Sequence, residues 1–184
     1  MRPGKDARIN KREKALIILT LVSIALAASA LLEQMEKIES PDTIENAGIS
    51  DLSTEGFVTV RPQAEVIGGK GVLAMTGGCY RLVAGTDVGQ AESIKNALDS
   101  VTGPRPNTHE LMRDAFGQLG VELVMVKVTQ LRDENFYGQT LLKKGDVLLN
   151  LDSRPSDGAA LALRMGAPIY FNETLLKEKG QKVC

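Results

Sequence analysis

Hydrophobic and polar positions divide the chain into four stretches. Residues 15 to 32 carry no charge at all. Eighteen residues at about 1.5 Å rise reach roughly 27 Å, the lower edge of a bilayer core. From 33 to 54 the apolar periodicity disappears. From Phe57 onward it returns in short segments whose spacing changes repeatedly. Phe57 to Ile67 alternates and is rich in β-branched residues, which predicts a strand interrupted near Pro62. Val72–Met75 and Tyr80–Val83 flank Gly77-Gly78, a hairpin signal because glycine tolerates the positive φ of a tight turn. Ala91, Ile94, Ala97, Leu98 and Val101 recur at helical spacing over Val88 to Val101, and Gly103-Pro104 ends that helix.

A second helix is predicted from Asn107 or Thr108. Asn107 with Glu110 three residues later forms a capping-box pattern. Leu111, Ala115, Phe116 and Leu119 make its apolar face, and Gly120 closes it. Val121 to Leu131 is apolar on both faces, as a central strand should be. Two turns, Asp133-Glu134-Asn135 and Lys143-Lys144-Gly145-Asp146, then generate a three-strand meander ending at Asp152. A helix over Ala159–Met165, a short strand over Pro168–Phe171 and a last helix capped by Asn172 and running through Lys179 complete the pattern. The predicted class is α+β: one domain with a mixed, mostly antiparallel sheet and helices packed on it.

Charge sharpens the four-part division. Residues 1 to 14 hold six basic residues against two acids and precede the apolar run, which favours a cytoplasmic amino terminus with the domain outside. The expected organisation is a basic segment (1–14), a transmembrane anchor (15–32), an acidic linker (33–54) and a folded domain (55–184). A cleavable signal peptide is the rival, since Ala28-Ser29-Ala30 resembles a cleavage site. The linker has six acids and one base, net −5, whereas residues 55–184 balance 15 Lys/Arg against 15 Asp/Glu. That balance offers no general basic surface for non-specific nucleic-acid binding. The two cysteines, Cys79 and Cys184, have no metal-type spacing, so no structural zinc is expected. A disulfide between them is permitted outside the cytoplasm, although a terminal cysteine is expected to be mobile.

Candidate chemistry gathers at two helix starts, Arg105-Pro106-Asn107-Thr108-His109-Glu110 and Arg154-Pro155-Ser156-Asp157. Each sets a guanidinium beside a proline-fixed entry and a carboxylate, and the first holds the only histidine. With Asn135-Phe136-Tyr137, the run Asp152-Ser153-Arg154-Pro155-Ser156-Asp157-Gly158-Ala159-Ala160-Leu161-Ala162-Leu163-Arg164, and Ala167-Pro168-Ile169-Tyr170, this stretch resembles the bifunctional nuclease (BFN) domain family. The resemblance runs from about residue 57 to 176. It departs at Gly158, where the family usually has Ala. Glycine lowers helix propensity by about 1 kcal/mol, which predicts a late or loose helix start.

The resemblance implies hydrolysis of phosphodiester bonds in DNA and RNA. In the expected mechanism Asp152 and Asp157, with Glu110 nearby, hold Mg²⁺ or Mn²⁺ through oxygen ligands. His109 serves as general acid or base, and Arg105 or Arg154 stabilises phosphate charge. The same residues have a structural reading, because acids at helix amino ends and Arg–carboxylate pairs stabilise folds without catalysis. No Ser/His/Asp, Cys/His or phosphate-loop pattern is visible along the chain. Phe136 or Tyr137 offers a surface for base stacking. The competing function is a non-enzymatic binding or homo-oligomeric assembly module at the membrane, and a small-molecule hydrolase is the third.

Overall fold

A computed structural model describes residues 10–36 and 48–184 of the chain. It divides into two units, Met1–Thr43 and Ile44–Cys184. Within the first, α1 is a helix over Lys11–Glu36. Its described apolar side chains, among them Leu16, Leu19, Val22 and Leu26, are exposed. Among the described residues no helix is long and apolar enough to cross a membrane. Residues 1–9 and 37–47, and the side chains of Ala15, Ile17 and Ala30–Leu32, fall outside the described residues.

The second unit is α+β, but with two sheets where one was expected. Following a 3₁₀ turn at Ile49–Leu52, the elements are β1 (Phe57–Thr59), β2 (Arg61–Ile67), β3 (Lys70–Gly77), β4 (Tyr80–Thr86), α2 (Val88–Leu98) and α3 (Thr108–Leu119). Then come β5 (Glu122–Arg132), β6 (Asn135–Lys144), β7 (Val147–Ser153), α4 (Pro155–Met165), β8 (Ile169–Asn172), α5 (Glu173–Lys179) and β9 (Gln181–Lys182). The larger sheet has the order β1-β8-β5-β6-β7 and the smaller β2-β3-β4-β9. The predicted single strand over 57–67 breaks at Val60, whose N–H donates to the Ile169 carbonyl at 2.9 Å. Past that point the chain leaves one sheet and enters the other. Pro62 lies in β2, an edge strand, where a missing N–H is tolerated.

The meander β5-β6-β7 is antiparallel throughout, and β8 joins β5 in parallel. On β5, Val126 and Val128 are fully buried under α4, in the same core as Leu142, Phe171, Ile94 and Ala91. The opposite face of β5 carries a residue that periodicity overlooks. Lys127 is 3% exposed. Its ammonium donates to the backbone carbonyls of Asp51 and Ser53, pinning the 3₁₀ turn to this sheet. Burial lowers the Lys127 pKa, with Asp51 opposing that shift.

Several helix ends form as predicted. The Asn107 side chain accepts from the Glu110 N–H at 3.0 Å and Glu110 Oε2 accepts from the Asn107 N–H at 2.8 Å. Asn172 accepts from the Leu175 N–H at 3.0 Å. The first of these long helices, α2, stops at Leu98, before the Gly103-Pro104 breaker. A larger correction concerns α3. Leu111 and Leu119, on its predicted apolar face, are 62% and 58% exposed, while Glu110 is buried. This helix docks through the polar side chains of its first turn, with only Phe116 of the apolar set packed against the core.

Gly158 is also explained differently. Helix α4 begins at Pro155, so there is no late start. A Cβ at position 158 would lie 2.7 Å from Val126 Cγ1. Glycine is therefore present because strand and helix approach closely, and the contacted atom belongs to a β-branched, fully buried side chain. Gly158→Ala is expected to destabilise by about 1–3 kcal/mol, despite the roughly 1 kcal/mol gained in helix propensity. Adding Val126→Ala should recover part of that loss. Denaturant midpoints of the two variants check this, and a midpoint raised by Gly158→Ala alone would contradict it.

Candidate active site

The site grows from the first turns of three helices. Asp157, in the first turn of α4, is its hub. Its Oδ1 accepts from Gln90 Nε2 at 2.8 Å and lies 3.2 Å from His109 Nε2. Its Oδ2 accepts from Arg154 Nε at 2.7 Å. Arg154 Nη1 in turn donates to Asp87 Oδ2 at 3.0 Å. These two carboxylates fix the direction of the guanidinium while its side chain stays 63% exposed. The hydrogen bond to Asp157, more than any other contact, raises the Arg154 pKa.

His109 is held at both ring nitrogens. Ser93 Oγ lies 3.0 Å from Nδ1, and Asn107 Nδ2 donates to Ser93 Oγ at 3.3 Å. A carboxylate only accepts, so Nε2 of the neutral ring carries the proton and Nδ1 accepts from the Ser93 hydroxyl. The donors thus run in one direction, Asn107 to Ser93 to His109 to Asp157. This is a Ser–His–Asp row in space, joining α2, α3 and α4, that no sequence spacing reveals. Ser93 is 3% exposed, which removes it from contact with a polymeric substrate. The row orients Asp157 and hence Arg154.

The other expected residues go elsewhere. Glu110 is buried and pairs with Arg164 across 3.6 Å, both side chains at most 5% exposed. Asp152 lies on β7, where Leu151 and Ser153 face α4; the Ser153 hydroxyl is 2.7 Å from that of Thr140. Strand alternation turns Asp152 to the opposite face, in register with Gln139. Arg105 is exposed in the loop before α3. So the structure brings together His109, Arg154 and Asp157, and leaves Glu110, Asp152 and Arg105 outside their network.

Arg154 opens onto a cleft of about 840 Å³. Its walls include the start of α2 (Asp87, Val88), the start of α4 (Pro155, Ser156), Lys70 and Tyr137. Two helix amino termini, Arg154 and Lys70 border one concavity and favour an anion beside them, while the carboxylates of Asp87, Glu134 and Asp152 line it as well. The donors fit a resident divalent cation poorly. Both oxygens of Asp157 are taken by Gln90, His109 and Arg154. Among the described residues no three His, Cys, Asp or Glu converge into a cation site.

An α+β domain with an oriented arginine at the mouth of a cleft lined by charges of both signs defines a class of polar-site proteins. The comparisons narrow it. A sequence model of the bifunctional nuclease domain matches residues 73–183, and the chain belongs to that family. An uncharacterized protein of Mycobacterium tuberculosis is 38% identical over 95 residues, covering 50% of this chain and 56% of that protein. "Bifunctional nuclease 2" of Arabidopsis thaliana is 31% identical over 90 residues, 47% of this chain and 27% of that protein. "Bifunctional nuclease 1" of the same plant is 29% identical over 90 residues, with 47% and 28% covered. The chain thus spans little more than half the length of the mycobacterial relative and under a third of the plant ones.

The sequence reading missed Asp87, Gln90 and Ser93. One signal was available. Gln90 and Ser93 sit at i, i+3 beside Ala91 and Ile94, and all four are buried, so α2 is polar on part of its inward face.

Proposed function

We propose that the cleft binds a phosphodiester of single-stranded RNA or DNA and hydrolyses it. The observation that carries this is Arg154, held by Asp87 and Asp157 between two helix starts with much of its guanidinium open to the cleft. Arg154 binds the phosphate and stabilises the charge that develops on it. Asp152, which also lines the cleft, has no side-chain partner among the described residues and is the carboxylate able to activate water. His109 and Asp157 are positioning residues in this reading, Arg105 is a peripheral phosphate contact, and Glu110 is structural. Asp152 would hold Mg²⁺ or Mn²⁺ arriving with the substrate phosphate, and the ion would there offset phosphate charge.

A membrane tether through residues 15–32, with the amino terminus inside and the domain outside, is part of the proposal. Two features support it. The described apolar side chains of α1 are exposed, and Cys79 is disulfide-bonded to Cys184, a bond that persists in oxidising compartments.

Cleavage by the detergent-solubilised full chain tests the reading. End-labelled single-stranded RNA and DNA should be cut. Arg154→Ala and Asp152→Asn should each slow cutting on the order of 100-fold, with unchanged unfolding midpoints because both side chains are exposed. Equal rates in wild type and both variants would mean a co-purifying nuclease. One observation favours the alternative, a binding or homo-oligomeric assembly module: Leu111, Met112 and Leu119 leave an apolar face of α3 open. An inactive chain that sediments as a stable oligomer would support it.

A further inference from the structure

The balanced charge of residues 55–184 hides a local surplus that strand register creates. On β2, β3 and β4 alternate side chains pack inward, and those between them form the outer face of the smaller sheet. That face holds three cations, Arg61, Lys70 and Arg81, against one carboxylate, Glu65. We propose that it is a second phosphate-binding surface, for the single strand whose scissile phosphodiester lies at Arg154. The inference rests on the nuclease reading and adds where the rest of the strand lies.

Two features carry it. The first is a row of donors. Thr76 is in register with Arg61 on one side and with Arg81 on the other, and Arg81 is in register with Gln181. The two arginine backbones stand about 10 Å apart, two strand spacings. Long side chains so placed can reach adjacent phosphates of a strand crossing the Thr76 hydroxyl. Both arginines are exposed, and among the described residues neither has a carboxylate partner. Glu65 is four residues from Arg61, about 13 Å along β2. Guanidinium groups bind phosphate through paired N–H donors and hold their charge at physiological pH.

The second feature is placement. Lys70 opens β3 and lines the cleft at Arg154. Thr76 follows on the same face six residues later, about 20 Å along the strand. Between them on that face lie Val72 and Ala74, uncharged and short, which leave the path unobstructed. A single strand leaving the cleft past Lys70 meets the arginine row a few nucleotides on. Contacts of this kind go to the backbone, so they add affinity without a base preference.

Binding of a labelled phosphorothioate oligo-U of about 12 nucleotides to the detergent-solubilised full chain, followed by anisotropy across salt concentrations, tests the row. Arg61→Gln combined with Arg81→Gln should weaken binding roughly tenfold at low salt. The slope of log affinity against log salt should shrink by about 1.4, as expected for two lost phosphate contacts on a single strand. Arg61→Lys combined with Arg81→Lys keeps both charges and should keep the slope. Unfolding midpoints should match wild type, because both side chains are exposed. Cutting of a dinucleotide, too short to reach from Arg154 to Thr76, should not change. Oligomer affinity and slope unaltered in the double Arg→Gln variant overturn the row, while Arg154-dependent cutting stands. A fall in dinucleotide cutting as large as the loss of oligomer binding overturns it too. Cutting that ignores Arg154→Ala, with oligomer binding still weakened in the double Arg→Gln variant, overturns the nuclease reading instead.

Discussion

Arg164→Met is expected to cost about 3–5 kcal/mol of folding stability, the largest effect of any single substitution considered. Arg164 and Glu110 face each other across 3.6 Å with almost no solvent access. The guanidinium also donates to the backbone carbonyls of Ala160 at 2.8 Å and Ser93 at 2.9 Å, tying α4 to α2. Burial lowers the Arg164 pKa, and the nearby Glu110 opposes that shift. Desolvation is thus the larger influence, and the pair adds little net stability over a well-packed apolar equivalent. Removing one partner is different, because it strands the other charge in the interior. Glu110→Gln combined with Arg164→Met should recover most of the loss. Urea unfolding of the two single variants and the double variant measures this. A single variant within 1 kcal/mol of wild type would show that the pair is open to water.

Cys184→Ser should cost about 2–5 kcal/mol, as expected for a native disulfide in a small domain. The bond joins the last residue to the β3–β4 turn across 105 positions, a long closed loop whose cross-link restricts the unfolded chain strongly. It also holds β9, whose two residues pair with Tyr80 and Arg81. Without the bond that pairing should fray first. Thermal unfolding with and without reductant distinguishes these contributions: wild type in reductant should match Cys184→Ser, and the variant should not respond to reductant.

Much of the secondary structure was legible because its signals are local. The Asn107–Glu110 box, the Asn172 cap and the turns of the meander are each set by residues within one turn of the chain. What failed to show was whatever depends on which face meets which. The periodicity of α3 marks Leu111, Ala115 and Leu119 as core, yet the helix docks by hydrogen bonds from Asn107, His109 and Glu110. Gly158 looks like a weak helix former until Val126 is placed beneath it. The pairing of β9 with β4 and the partner of Cys184 are long-range facts that no local pattern contains.

The candidate site divides the same way. Arg154, His109 and Asp157 were singled out and do meet. Asp152 lies five residues before Asp157 and borders the same cleft as Arg154, but on β7, in register with Gln139, it takes no part in the hydrogen bonds that meet at Asp157 in the first turn of α4. The expected pairing of these two carboxylates rested on sequence proximity, whereas the bonds at Asp157 go to Gln90, His109 and Arg154. Gln90 and Ser93 escaped notice because neither residue type is diagnostic without its partners.

The account turns on a phosphate lying at Arg154, between the first turns of α2 and α4. A structure of the full chain with a non-hydrolysable dinucleotide locates it directly. The expected result is a phosphate oxygen within hydrogen-bond reach of the Arg154 guanidinium, in the cleft that Asp87 and Ser156 border. A dinucleotide phosphate seated elsewhere, with this cleft left to solvent, would contradict the assignment.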